Sequence, residues 1–270
     1  MRKVTVLFIC LIITTYVKGA QRIVSLSGSI SEMLCALGLE NQIVGVDVTS
    51  TYPVSLSKKP KIGHNRSISA EGIIALQPTL VLGLSEETSP KLAEQLTATG
   101  VKISLFKHDL SVAGVKNLLN QVASSVGARA KVKSLQNNFD AQMRELKVSP
   151  TNKKVLFIYA RGTGTMMVSG TGTSIEKMIS LAGARNAVTE FSDFKPLTAE
   201  ALVAANPDVI LLFDSGLESI NGPEGLLKVP GIAQTSAGRN KKIVSMDGEL
   251  LSAFSLRLPV AIRDLHNKIQ

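Results

Sequence analysis

A histidine and an arginine stand two residues apart in the segment Lys59-Pro-Lys-Ile-Gly-His-Asn-Arg-Ser. The imidazole of His64 can bind a metal, and the guanidinium of Arg66 can pair with a carboxylate. The segment joins a predicted strand to a predicted helix, and ligands of open α/β sheets bind near the carboxyl ends of the strands. His64 and Arg66 are therefore candidate ligand-binding residues, although a solvated loop histidine would show the same spacing.

A second candidate pair, Tyr159 and Arg161, stands at the end of the predicted strand 154–159. Because this is also a strand end, Arg161 is a candidate second clamp for an anion, the alternative being an exposed arginine near a turn. Met166 and Met167 offer soft sulfur atoms, but apolar packing in a strand explains them as well.

The sequence contains little that points to catalysis. Its three histidines, His64, His108 and His266, lie far apart, and neither HExxH nor a Cys–His metal spacing is present. The glycine-rich segments 162–164 and 169–172 complete neither a P-loop nor a GxGxxG fingerprint. We expect His108 and His266 at the surface, and we predict that the protein is not an enzyme and has no catalytic cofactor.

Strand-like and helical runs alternate on both sides of a helical stretch. Strands are predicted at 22–27, 43–48, 80–84, 101–106, 154–159, 209–213 and 242–246, and helices at 30–37, 69–76, 91–99, 174–181, 199–205 and 258–269. This alternation predicts parallel α/β sheets. The predicted fold class is therefore α/β, with two Rossmann-like lobes, 21–110 and 150–270, joined by a single long linker helix within 111–149. A break near Gly127 would divide this linker into two helices.

An internal repeat relates the two lobes. The segment 69–82 (SAEGIIALQPTLVL) aligns with 198–211 (TAEALVAANPDVIL), so that Glu71 matches Glu200. Each glutamate follows a Ser or Thr that can cap a helix, and a carboxylate in the first turn is stabilised by the helix dipole. Helix stability alone explains either residue. The pair also places one exposed carboxylate at an equivalent position of each lobe, as a two-point docking surface requires.

Composition excludes several classes of protein. The 270 residues are 44% hydrophobic, contain two cysteines and carry a formal charge of +9. This apolar content is too high for a disordered chain, and two cysteines cannot build a disulfide scaffold. The sequence lacks a Lys/Arg cluster of the kind that indicates nucleic-acid binding. A mildly basic surface suits an anionic small ligand better.

Residues 1–20 have the pattern of a cleavable signal peptide, with Arg2 and Lys3 before an apolar run and small residues near Ala20. The run is short of the about 20 residues that span a membrane, although an uncleaved N-terminal anchor is the alternative reading. Cleavage removes three basic residues and no acidic one, which lowers the formal charge from +9 to +6. Cys35 is then the only thiol, and we predict that it is a core residue.

Several motifs together resemble the periplasmic binding proteins of iron-complex ABC importers, a family that includes siderophore, cobalamin and haem binders. They cover both halves of the chain and include RIVSLSGS (22–29), VGVD (44–47), TSTYP (49–53), GHNRSISAE (63–71) and PTLVL (78–82). The segments YARGTGTMMVSG (159–170), PLTAEAL (196–202) and LP (258–259) look most like the haem-binding subgroup. The resemblance implies class III architecture, in which one long helix joins the lobes.

The resemblance also implies functions for named residues. One exposed glutamate on each lobe of such proteins engages the permease, and Glu71 and Glu200 match those positions. Haem binders of this kind typically carry a tyrosine ligand where this chain has His64, and a neutral imidazole is also a good ligand of haem iron. Arg66 and Arg161, with Tyr159, are then expected to contact the haem and its propionates.

The leading hypothesis is a monomeric periplasmic protein that captures haem between its lobes and delivers it to an inner-membrane ABC permease dimer with its ATPase. The alternative within the same class is a ferric siderophore or cobalamin binder, with His64 incidental. Two other classes stay open: a secreted metal-dependent hydrolase that uses His64, and a haem chaperone without a permease. Nucleic acid is not an expected partner.

Overall fold

The computed structural model describes residues 21–64, 67–162 and 164–270. The predicted signal peptide and Arg66 therefore lie outside the described residues. The helices within these described ranges all fall short of the length and apolar content that a membrane-spanning helix needs.

The first lobe is built on a four-stranded parallel sheet with the strand order β2-β1-β3-β4. Its strands are β1 (Ile23–Ser25), β2 (Ile43–Val46), β3 (Leu80–Leu84) and β4 (Lys102–Phe106). Its helices are α1 (Gly28–Ala36), α2 (Ala70–Ile74) and α3 (Pro90–Ala98). The chain moves from β1 to β2 on one side and then to β3 on the other, so the order reverses next to β1, and ligands of such sheets bind at such points.

Successive residues of each strand point to opposite faces of the sheet, so both faces are covered by apolar side chains. Ile23 and Leu82 pack towards α1 and the linker, whereas Val24 and Val81 pack towards α2 and α3. The near-continuous apolar runs of these strands are therefore the expected pattern for a sheet buried on both sides.

The linker departs from the predicted single helix. It consists of α4 (Val112–Val126) and α5 (Val132–Arg144), separated by a short 3₁₀ turn over Arg129–Lys131. Gly127 ends α4 with a positive φ of 74°, a conformation that a glycine adopts without the steric cost that a Cβ would add. The linker therefore follows the second of the two predictions, in which a break at Gly127 divides it into two helices.

The second lobe contains a mixed sheet with the strand order β10-β9-β5-β6-β8, and β7 pairs with β5. Its strands are β5 (Lys154–Ala160), β6 (Met166–Ser169), β7 (Arg185–Asn186), β8 (Phe194–Pro196), β9 (Val209–Phe213) and β10 (Ile243–Met246). The strands β5, β9 and β10 are parallel, whereas β6 is antiparallel to both β5 and β8. The expectation of parallel sheets thus holds for the centre of this lobe and not for its β6–β8 edge.

The described residues of the second lobe form seven α-helices. They are α6 (Ser174–Leu181), α7 (Ala199–Ala205), α8 (Asp214–Ser219), α9 (Gly222–Leu227), α10 (Ser236–Arg239), α11 (Gly248–Ser252) and α12 (Leu258–Ile269). Phe157 of β5 faces α6 and α12, whereas Leu156 faces α7.

One apolar core extends through both lobes. It runs from Ile23 and α1 across Leu118 of α4 and Phe139 of α5 to Leu265 of α12, and on to the second sheet. Phe139 is 1% exposed, and complete burial of a side chain of this size contributes about 1.5–3 kcal/mol. Cys35 packs at the edge of this core, as predicted, and burial raises the pKa of its thiol to about 12, which disfavours the reactive thiolate.

Candidate ligand-binding cleft

A cleft of about 360 Å³ lies between the two lobes. Residues that follow β1, β3 and β4 line it from the first lobe, and the starts of α6 and α11 line it from the second. The lining residues are Ser27, Gly28, Ser29, Thr49, Leu84, Glu86, Glu87, His108, Leu110, Ser174, Glu249, Ser252 and Ala253. The carboxyl ends of the first lobe's strands therefore border this cleft, as the strand order predicts.

The start of α1 is in close contact with Glu249 of the second lobe. A Cβ added to Gly28 would lie 1.8 Å from Oε1 of Glu249, so only glycine leaves room for this carboxyl group. Oε1 is buried and has no hydrogen-bond partner among the described residues. Burial, reinforced by Asp47 and Glu32 and opposed by Arg257, raises the pKa of Glu249 well above its ordinary value.

A buried ion pair joins the two lobes behind this contact. Nε of Arg257 donates to Glu32 at 2.7 Å, and the Arg257 backbone N–H and the Ser255 hydroxyl donate to the other oxygen of Glu32 at 3.1 and 2.9 Å. The guanidinium carbon of Arg257 also lies 3.9 Å from the centre of the Tyr52 ring, a cation–π contact. The Glu32 side chain is only 5% exposed, so little water screens the pair.

His108 lines the cleft, and the expectation that it lies at the surface was wrong. Its Nε2 donates to the carbonyl oxygen of Phe254 at 3.1 Å, which is a contact between the lobes. Burial lowers the pKa of His108, although the Phe254 carbonyl and the charges of Glu86 and Asp109 act in the opposite direction. The imidazole is half-buried, and local sequence does not reveal its contact with Phe254 of the second lobe.

His266 is buried as well, which corrects its predicted surface position. It is 9% exposed, and its Nδ1 donates to the carbonyl oxygen of Ala182 at 2.9 Å. The apolar face of α12 brings it into the core, so His266 has a structural role.

His64 lies in the first lobe beside the end of β2. Lys61 pairs with Val46 at the outer edge of the sheet, and the Val48 N–H donates to the carbonyl oxygen of Gly63 at 3.1 Å. The carbonyl oxygen of His64 accepts a hydrogen bond of 2.7 Å from the Ser67 N–H. These bonds hold the half-buried His64 at the carboxyl edge of the sheet. His64 is not among the residues that line the cleft described above.

Asp47 organises the adjoining segment. Its carboxylate is 1% exposed and accepts hydrogen bonds from the Thr49 N–H at 3.0 Å, from the Ser50 hydroxyl at 2.5 Å and from the Thr49 hydroxyl. The chain therefore turns away from β2 directly after Val46, and β2 ends two residues earlier than predicted.

Tyr159 and Arg161 lie at the carboxyl end of β5 in the second lobe, and neither is among the residues that line the cleft. Tyr159 is half-buried at the end of β5 and packs edge-on against Phe213, with ring centres 6.2 Å apart. The exposed guanidinium of Arg161 stands 5.7 Å from the centre of the Tyr159 ring. The structure thus brings this pair together on the second lobe and His64 to the first, and their ligand roles stay predictions.

Glu71 and Glu200 are exposed in the first turns of α2 and α7. The hydroxyls of Ser69 and Thr198 cap these helices as predicted, because they accept hydrogen bonds from the N–H groups of Gly72 and Ala201 at 3.1 and 3.2 Å.

Sequence reasoning missed Glu32, Arg257 and Glu249. One signal was present: Glu32 falls among apolar residues of α1, where a charge needs a buried partner. The partner lies 225 residues away, so no spacing could identify it.

Among the described residues, no group of three or more His, Cys, Asp and Glu side chains is placed to hold a metal ion. The metal-dependent hydrolase alternative therefore gains no support from side-chain clustering.

Two α/β lobes on either side of a cleft define a bilobal binding protein. A model of the periplasmic binding protein family matches residues 23–250, and the chain belongs to that family. The solved periplasmic heme-binding protein RhuT from Roseiflexus sp. RS-1, in its apo form, is similar to it, with 37% identity and a TM-score of 0.87. The match covers 93% of this chain and 100% of RhuT, and it confirms the predicted α/β class with two lobes.

Two curated relatives add context. An uncharacterized ABC transporter substrate-binding lipoprotein, YvrC of Bacillus subtilis (strain 168), is 28% identical over 262 residues, 94% of this chain and 82% of YvrC. The vitamin B12-binding protein of Pectobacterium atrosepticum is 24% identical over 199 residues, 71% of each chain.

Proposed function

We propose that this protein captures haem in the cleft between its lobes and delivers it to an ABC permease, outside the cytoplasmic membrane and without catalysing a reaction. The observation that carries the proposal is the similarity to the heme-binding RhuT over nearly the whole of both chains. The similarity to the vitamin B12-binding protein is lower and covers less of the chain, so cobalamin is the second candidate.

The residues at the carboxyl ends of the strands in both lobes suit a porphyrin. On the first lobe, His64 supplies an imidazole for iron. Three exposed apolar side chains lie in the neighbouring segment 48–54: Val48, Tyr52 and Val54 are 42%, 45% and 76% exposed. A porphyrin is a flat apolar ring, and covering such side chains on binding is favourable.

The second lobe supplies a cation and a phenol. Arg161 is exposed and suits a propionate, to which a charge-assisted hydrogen bond contributes about 1.5–3 kcal/mol. Tyr159 lies beside it and is the next candidate iron ligand if His64 is not one. Arg66 is kept in the proposal as a second propionate partner from its place in the sequence.

The test is a haem titration followed by absorption spectroscopy on wild type, His64→Ala and His64→Tyr. We expect wild type to bind haem saturably. In His64→Ala the Soret band should be lost or altered and the affinity for haem should fall about tenfold or more below that of wild type, because the iron loses a ligand. His64→Tyr should bind haem with the spectrum of a phenolate ligand. The exposed Glu94→Ala, which lies outside the cleft, is the control and should titrate like wild type.

Each other outcome has a definite meaning. An unchanged Soret band in His64→Ala would keep haem and move the iron bond to Tyr159, which Tyr159→Phe then tests. Absence of a saturable shift in wild type would remove haem, and a parallel titration with cobalamin and ferric siderophores would decide the second candidate.

Delivery to a permease makes a separate prediction about Glu71 and Glu200. Replacing both by alanine should leave haem binding unchanged and abolish haem uptake, because each lost charged contact weakens docking about tenfold or more. Uptake assays in cells that depend on this protein measure the effect, with the exposed pair Glu94→Ala and Glu218→Ala as control. Normal uptake by the Glu71/Glu200 double variant would favour a haem chaperone that needs no permease.

A further inference from the structure

The helices α2 and α7 occupy equivalent places in the two lobes, and they share contacts that the repeat in their sequences does not by itself specify. Each begins after a capping hydroxyl, and each is followed by a residue with positive φ, Gln77 at 48° and Asn206 at 39°. The equivalence extends to the end of each helical segment. Nη2 of Arg22 donates to the Leu76 carbonyl oxygen at 2.7 Å, and Nζ of Lys154 donates to that of Ala205 at 2.5 Å.

The equivalent residues Leu76 and Ala205 differ in the size of their side chains. Leu76 lies on β2, because its Cδ1 is only 2.3 Å from the position that a Cβ on Gly45 would take. The leucine therefore fills the space between its helical segment and the sheet. Ala205 has only a methyl group, and the corresponding space beside α7 is an open groove of about 540 Å³.

The groove is mainly apolar. It lies between α7, the strands β5 and β6, and the segment 187–191, and its lining residues are Lys154, Leu156, Val168, Ala187, Val188, Glu190, Phe191, Leu197, Ala201, Leu202, Ala204 and Ala205. The two charged lining residues have opposite signs, and Lys154 is already bonded to the Ala205 carbonyl oxygen. A third charge, that of Lys195, lies 4.8 Å from the centre of the Phe191 ring.

The groove adjoins the proposed docking carboxylate. Ala201, the residue after Glu200, lines it, and Val203 on the same helix is 39% exposed. A partner that reaches Glu200 with a basic side chain therefore meets an apolar surface within one helical turn.

We propose that this groove receives a large apolar side chain of the permease, next to a basic residue that pairs with Glu200. The proposal rests on the importer function proposed above and adds a distinction between the lobes. The first lobe docks through Glu71 over a groove that its own Leu76 fills, whereas the second lobe docks through Glu200 together with a buried anchor. Apolar anchors in pockets commonly dominate the binding energy of protein interfaces.

The test uses Ala205→Leu, which supplies to the second lobe the side chain that fills the first. Haem-loaded protein is titrated against the purified permease–ATPase complex of the same organism. We expect the affinity to fall tenfold or more, with haem titration and the unfolding midpoint unchanged. Ala201→Leu at the exposed rim should act in the same direction and cannot disturb the core. Ala98→Leu, at an exposed helical position elsewhere, is the control.

The outcomes separate the two proposals. If Glu200→Gln weakens binding to the complex but both groove variants bind like wild type, the anchor proposal is overturned and the importer function stands. If wild type binds haem yet does not bind the complex at all, both proposals fail. Weakening by Ala98→Leu as well would assign the effect to the leucine substitution itself and overturn the anchor.

Discussion

Glu32→Ala should lower the free energy of unfolding by about 3–5 kcal/mol, the cost typical of removing one partner from a buried ion pair. The truncation leaves the Arg257 guanidinium, its backbone N–H and the Ser255 hydroxyl without the acceptor they share. Nη2 of Arg257 already has no hydrogen-bond partner among the described residues. The cation–π contact with Tyr52 remains, but it does not replace the lost carboxylate. Urea denaturation followed by circular dichroism measures the change.

Two variants make the test specific. The exposed Glu94→Ala should change stability by no more than about 0.5 kcal/mol. The double variant Glu32→Ala with Arg257→Ala should be less destabilised than the sum of its single variants, because no unpaired charge remains buried. A loss below about 1 kcal/mol in Glu32→Ala would show that this contact does not hold the lobes together.

Glu249→Gln should stabilise the protein at pH 8 and have little effect at pH 4. Burial raises the pKa of Glu249, with Asp47, Glu32 and Asp247 adding to the effect and Arg257 opposing it. The folded protein therefore holds a proton that the unfolded chain loses at lower pH. The stability this provides is complete below the unfolded pKa, about 4.3, and is lost as the pH rises through the higher folded value.

Thermal unfolding between pH 4 and pH 9 measures this effect. Wild type should lose stability with rising pH relative to Glu249→Gln, by about 1.4 kcal/mol for each unit between the folded and unfolded pKa of this group. The exposed Glu218→Gln is the control and should run parallel to wild type. Parallel curves for wild type and Glu249→Gln would mean that this carboxyl group ionises normally in the folded state.

Much of the fold was predictable because local signals bounded its elements. A proline before an apolar run placed the strands 80–84 and 209–213 to the residue, and a capping hydroxyl supported α7. The helical run before Gly183 placed α6. The short strands β7 and β8 and the helices α8 to α11 were missed, since elements of two to six residues carry little periodicity.

The cleft was less predictable than the sheets around it. Strand-end logic identified the edges that carry His64 and Tyr159, but the contacts between lobes depend on pairs far apart in sequence. His108 beside Asp109 has the local pattern of a solvated connector, and only the second lobe's Phe254 makes it part of the cleft. Glu249 follows a helix-capping Asp247, which explains the start of α11 and gives no indication of a neighbour as distant as Gly28.

The unbroken core through α4, α5 and α12 has a consequence for how the protein denatures and evolves. Leu118, Phe139 and Leu265 belong to one apolar cluster that serves both sheets, so neither sheet can lose its packing alone. The molecule should melt as a single cooperative unit, although its outline shows two bodies. Recombination between relatives cannot exchange one half freely, because each half inherits an apolar surface shaped by the other.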